Sequence, residues 1–157
     1  MKAASSNEIK QELKGLSNAK LLELCLRLAR FKKENKELLT YLLFEADDLE
    51  TYLKNVKDEV DEQFLEVNTT SMYFAKKTLR KILRIVNKHI RYTGSKQAEA
   101  ELLIYYCKNL KALKIPFRKS NVLDKLFDAQ VKKIKAAINS MHEDLQYDYI
   151  RHLEELQ

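Results

Sequence analysis

Two glycines and one proline punctuate a chain of 157 residues, and that scarcity excludes more folds than any other feature of the sequence. A strand-rich fold reverses direction every few residues. It needs Gly, Pro, Asn or Asp at most reversals, because those residues adopt turn geometries that others resist. Helices need few of them, and Leu, Lys, Glu, Ala and Ile, mostly good helix formers, dominate here. The composition predicts an all-α fold. At this length a single domain spanning 1–157 buries roughly two thirds of the surface of its unfolded chain, with residues 1–5 expected to be flexible.

Apolar spacing and capping residues divide the chain into seven to eight helices. A short helix over Ser6–Lys14 is expected to close at Gly15 through a left-handed turn. Ser17 caps a second over Ser17–Lys33, with Leu21, Leu24, Cys25, Leu28 and Phe31 on one face. The pattern restarts after Glu34 and Asn35 in a short, well-buried helix carrying Leu38, Leu39, Tyr41, Leu42, Leu43 and Phe44. Asp47 with Glu50 forms a cap-like pair opening the next helix, which bears Leu49, Tyr52, Leu53, Val56, Val60, Phe64 and Val67. Asn68–Ser71 ends it and caps a helix over Ser71–Tyr92. Thr93-Gly94-Ser95 then leads into Lys96–Leu113. There LLIYYC, Leu102–Cys107, is apolar or aromatic on every side, as in a helix central to its bundle. Pro116 places a loop at Lys114–Lys119. Helices from Ser120 or Asn121 to Met141 and from His142 to Leu156 complete a compact multi-helix bundle, or a short stack of antiparallel helical hairpins.

The modest net charge of +6 conceals a sharp internal contrast. Residues 45–66 hold two basic and nine acidic residues, net −7, whereas 67–98 hold eight basic and no acidic ones, net +8. On a helical wheel at ~100° per residue with Leu79 at zero, the core stripe is Met72, Ala75, Leu79, Ile82, Leu83, Val86 and Ile90. Lys76, Lys77, Arg80, Lys81, Arg84, Lys88 and Arg91 fill a continuous arc from about 60° to 200°. Phe74, Ile85 and Tyr92 form a second apolar strip near −120° to −140°. The cationic arc is either a solvated face partly neutralised by the acidic helix before it, or a surface for an anion such as the phosphate backbone of nucleic acid. The apolar strip is the candidate contact for a protein partner or for self-association.

Nothing in the sequence specifies a chemistry. Cys25 and Cys107 match no zinc or redox spacing and are read as buried free thiols in a reducing cytoplasm. The serines mostly fall at helix boundaries, where capping accounts for them, and no nucleophile elbow or Gly-rich phosphate loop is present. His89 lies at the margin of the core stripe and is expected to be packed and hydrogen-bonded, and His142 is expected at a helix start. Asp148, His152 and Glu155 share one helical face, a pattern that fits a solvated charged surface better than a metal site. No cofactor, metal or catalytic residue is assigned, and no run of ~18 apolar residues implies a membrane span.

The stretches LKGLSNAKLLELCLRLARFKKENKELLTYLLF, AKKTLRKIL and AELLIYYCKNL resemble, in their order, a family of small bacterial all-helical proteins known only as a domain of unknown function. The resemblance implies a helical fold and no activity. The resulting expectation is a non-catalytic cytoplasmic scaffold or adaptor that makes protein–protein contacts; the alternative is nucleic-acid binding by the basic helix 71–92.

Overall fold

The computed structural model describes all 157 residues and contains eight α-helices, one short 3-10 turn and no strand. The helices group into two compact units, Met1–Phe44 and Glu45–Gln157.

In the first unit, α1 (Ser6–Lys14) opens with a reciprocal cap. The Ser5 hydroxyl accepts from the Glu8 amide, and the Glu8 carboxylate accepts from the Ser5 amide at 2.7 Å. Gly15 follows with φ −84°, so this helix ends without the left-handed turn that its glycine permits. Helices α2 (Asn18–Phe31, capped by Ser17) and α3 (Lys33–Phe44) pack as a hairpin. Extended backbone at Lys32 separates them, and Asn35 Nδ2 donates to the Leu28 carbonyl at 2.8 Å to tie the turn.

The well-buried helix expected at Leu38–Phe44 is not found. Of α3 only Tyr41 is buried, while Leu42, Leu43 and Phe44 are 56%, 64% and 80% exposed. Cys25, likewise expected to be buried, is exposed, whereas Cys107 is fully buried; both are free. Two helices bury only one seam between them, and α2 and α3 carry apolar residues well outside that seam.

The second unit is built around α6 (Lys96–Ala112), which packs against α4 (Leu49–Leu65), α5 (Met72–Thr93), α7 (Asn121–Asn139) and α8 (Glu143–Glu154). Its all-round apolar sequence explains that position: Leu102, Leu103, Ile104, Tyr106, Cys107 and Leu110 are all buried. The Tyr106 hydroxyl donates to the Leu79 carbonyl of α5 at 2.9 Å, and its ring lies 5.7 Å from that of Phe64 on α4. One side chain thus fastens three helices.

Serines cap α5, α6 and α7 at Ser71, Ser95 and Ser120, and Asn68 Oδ1 accepts from the Thr70 and Ser71 amides to shape the entry to α5. The cap of α4 is Asp48, one residue beyond the expected Asp47; it accepts from the Thr51 amide at 3.0 Å. Two residues take left-handed backbone, Gly94 at φ 58° and Lys114 at φ 54°. No helix is long and apolar enough to cross a membrane.

Candidate interaction surfaces

The cationic band of α5 is open. Lys77, Arg80, Lys81, Arg84 and Arg91 are exposed, Lys76 and Lys88 half-buried, and Lys76, Lys77, Arg80, Lys81, Arg84 and Arg91 form no ion pair. The acidic helix does not lie across them. It packs on the opposite flank of α5, where His89 projects about 150° round the axis from the middle of the band.

That flank carries a defined polar link. The Tyr52 hydroxyl is 2.7 Å from His89 Nδ1, and His89 Nε2 is 3.0 Å from Glu59 Oε2. A carboxylate only accepts, so Nε2 donates to Glu59, and in the neutral imidazole Nδ1 then accepts from Tyr52. The Tyr52 side chain is buried, and the link joins α4 to α5. The remaining carboxylates of α4 that find partners turn to α6: Asp61 accepts from the Tyr105 hydroxyl at 2.7 Å and lies 3.5 Å from Asn109 Nδ2. Lys57 of α4 pairs with Glu101 of α6 at 2.6 Å.

The strip of Phe74, Ile85 and Tyr92 does not form a single exposed surface. Tyr92 is buried, with its ring edge-on to His89 at 6.0 Å, and Ile85 is half-buried. Phe74 is 54% exposed and stands edge-on to Tyr73, itself 64% exposed, at 5.3 Å. Tyr73 falls near 120° on the wheel, inside the cationic arc, and Lys77 Nζ lies 5.8 Å over its ring. The wheel was sufficient to place this tyrosine in the band; reading the arc by charge alone passes over it.

A groove of about 370 Å³ runs between α4, α6 and α8, with Lys57, Glu101, Tyr105, Lys108, Tyr149 and His152 among its walls. Its two lysines are paired, Lys57 with Glu101 and Lys108 with Glu155. Tyr149 donates to Glu101 at 3.0 Å, and burial pushes the tyrosine up to about 12. Lys108 Nζ sits 2.9 Å from Glu155 Oε2 and 3.3 Å from His152 Nδ1, and its hydrogen bond and charge hold the Glu155 carboxyl below its ordinary value. The Lys108 ammonium thus stands between His152 and Glu155, and no group of three or more His, Cys, Asp or Glu side chains is arranged to hold a metal.

Several exposed apolar side chains belong to the α2–α3 hairpin. Leu22, Leu28 and Phe31 are 61%, 61% and 75% exposed. Leu28 and Leu42 line a shallow groove between the two helices together with Cys25, Leu38 and Leu39. At 150–250 Å² per aromatic side chain, Phe31 and Phe44 alone expose on the order of 300 Å².

Comparison of the chain with protein-family models, with curated proteins and with solved structures finds no match.

Proposed function

We propose that this chain is a non-catalytic adaptor of the cytoplasm that binds another protein through the apolar hairpin α2–α3. The observation that carries this reading is the exposure of Leu22, Leu28, Phe31, Leu42, Leu43 and Phe44 on two adjacent, well-formed helices. Removing such side chains from water against a partner contributes roughly 25 cal/mol per Å² of apolar surface. A photoreactive amino acid placed at Phe31 or Leu42 in cells expressing the full chain tests the reading. A discrete adduct that disappears when Leu28→Lys is added supports it. Failure of both positions to yield any adduct beyond the uncoupled chain would refute it.

A second reading, phosphate-backbone binding by α5, is favoured by one specific observation: six of the seven cations in the band have no ion-pair partner. Cations left unpaired along one helical face release counterions when they meet a polyanion, which gives binding that weakens steeply with salt. Changing Arg80, Arg84 and Lys88 together to Glu should abolish it, measured by fluorescence anisotropy at low ionic strength.

A further inference from the structure

We infer that the α5 band takes single-stranded rather than duplex nucleic acid, with Tyr73 as a stacking platform at its N-terminal end; this rests on the phosphate-binding reading above. The inference comes from what stands within the band and from how α5 is held. Tyr73 is 64% exposed and shares the arc of Lys77, Arg80, Arg84 and Arg91. Its ring is supported on one side by Phe74 at 5.3 Å and approached by Lys77 Nζ at 5.8 Å. A solvent-facing ring beside a row of cations is the pairing that sequence-tolerant single-strand sites use: bases stack on the aromatic while the backbone follows the charges. A base inside a duplex is stacked on both faces and has none to offer.

The setting of α5 points the same way. A helix that reads duplex DNA enters a major groove about 12 Å wide and must stand clear of its own domain. Helix α5 is packed against both α4 and α6, so only an arc of about 140° faces outward. A single strand can lie along such a flush track. From Tyr73 to Arg91 the track runs about 27 Å, long enough for several nucleotides. It is extended at the Tyr73 end by Lys119, which lines one groove of about 390 Å³ together with Met72 and Lys76. Arg118 is not available to it, because Asp124 and Asp128 each hold its guanidinium at 2.7 Å. No Gln lies in the arc and its one Asn, Asn87, is half-buried at its edge, so little base discrimination is expected.

The test uses the full chain, a fluorescein-labelled 12-nucleotide oligo-dT and a mixed-sequence duplex of the same length, titrated by anisotropy at 50 and 200 mM salt. The single strand should bind at least about fivefold tighter than the duplex, and with about five phosphates neutralised its affinity should fall roughly 100-fold across that salt range. Tyr73→Ala should weaken the single strand by about fivefold to 100-fold and leave the duplex unchanged, whereas Tyr73→Phe should keep single-strand binding. Because Tyr73 is exposed, these variants are expected to retain wild-type helicity by circular dichroism. Duplex binding equal to or tighter than single-strand binding, or a Tyr73→Ala variant that loses nothing on the single strand or equally on both ligands, would overturn the inference while leaving phosphate binding by the band intact. If neither ligand binds at 50 mM salt, both readings fail together.

Discussion

Exchanging the residues at the two left-handed positions of the second unit should move its stability in opposite directions. Gly94 follows α5 at φ 58° and Lys114 follows α6 at φ 54°; each lets a helix end and the chain turn away. At Gly94 an added Cβ meets no atom within 4 Å, so Gly94→Ala introduces only the backbone cost of a left-handed L-residue, about 1–2 kcal/mol. Against this, alanine reduces the freedom of the unfolded chain and returns about 0.4–1 kcal/mol. A net loss of about 1 kcal/mol remains. Lys114 already bears that backbone cost, and its side chain is exposed with no ion pair. Lys114→Gly therefore relieves about 1–2 kcal/mol and gives back about 0.4–1 to the unfolded state, a net gain of about 1 kcal/mol. In a protein of this size each change shifts Tm by about 2–4 °C, down for Gly94→Ala and up for Lys114→Gly, and the double variant should melt close to the parent. Denaturant unfolding followed by circular dichroism measures both free energies. A Lys114→Gly variant that is less stable than the parent would show that its φ is not strained and would refute the reasoning.

Three further outcomes are expected. In the native protein a thiol reagent should modify one cysteine per chain, Cys25, and in guanidinium both, because Cys107 is fully buried and burial pushes its thiol up to about 12; two rapidly reacting native thiols would contradict the packing of α6. Leu79→Ala, at a site with no exposed surface, should cost about 2–5 kcal/mol, whereas Phe44→Ala at 80% exposure should stay within about 0.5 kcal/mol, both read from denaturant midpoints. Gln130→Met removes a buried amide whose Oε1 finds no partner but whose Nε2 donates to the Leu126 carbonyl at 3.0 Å; the two effects oppose, so stability should change by less than about 1 kcal/mol, and a larger loss of Tm would show that the amide is worth more than its one bond.

Much of the fold is legible in the residues, and the exceptions share a cause. Ser17, Ser71, Ser95 and Ser120 mark helix starts because a hydroxyl accepting from the first turn is a local bond that needs no knowledge of the rest of the chain. LLIYYC is equally readable, since a helix apolar all round has to be surrounded, and α6 is. The same rule misleads at Leu38–Phe44. Apolar residues on every side require a cover, but they do not say that the same unit provides it, and here most of them face outward.

The cationic band illustrates a second limit. Its arc follows from the 3.6-residue period, but adjacency in sequence does not tell which flank of α5 an acidic neighbour takes. That was settled by apolar packing and by the Tyr52–His89–Glu59 link, contacts between residues 30 and 37 positions apart that no local pattern records.

The place of α6 also bears on how the second unit acquires its structure. Its helices touch their neighbours in sequence, and the only other substantial pairings join α4 and α8 to α6 itself, so no contact requires the ends of the unit to find each other first. Chains with such short closures fold in microseconds to milliseconds. Growth outward from the middle is then the shortest route, and substitutions at Leu103 or Tyr106 should slow refolding in stopped-flow experiments while Leu153→Ala on α8 chiefly speeds unfolding. A nucleus at α6 would sit at the midpoint of the unit's own chain, where alterations at either end leave the starting step untouched.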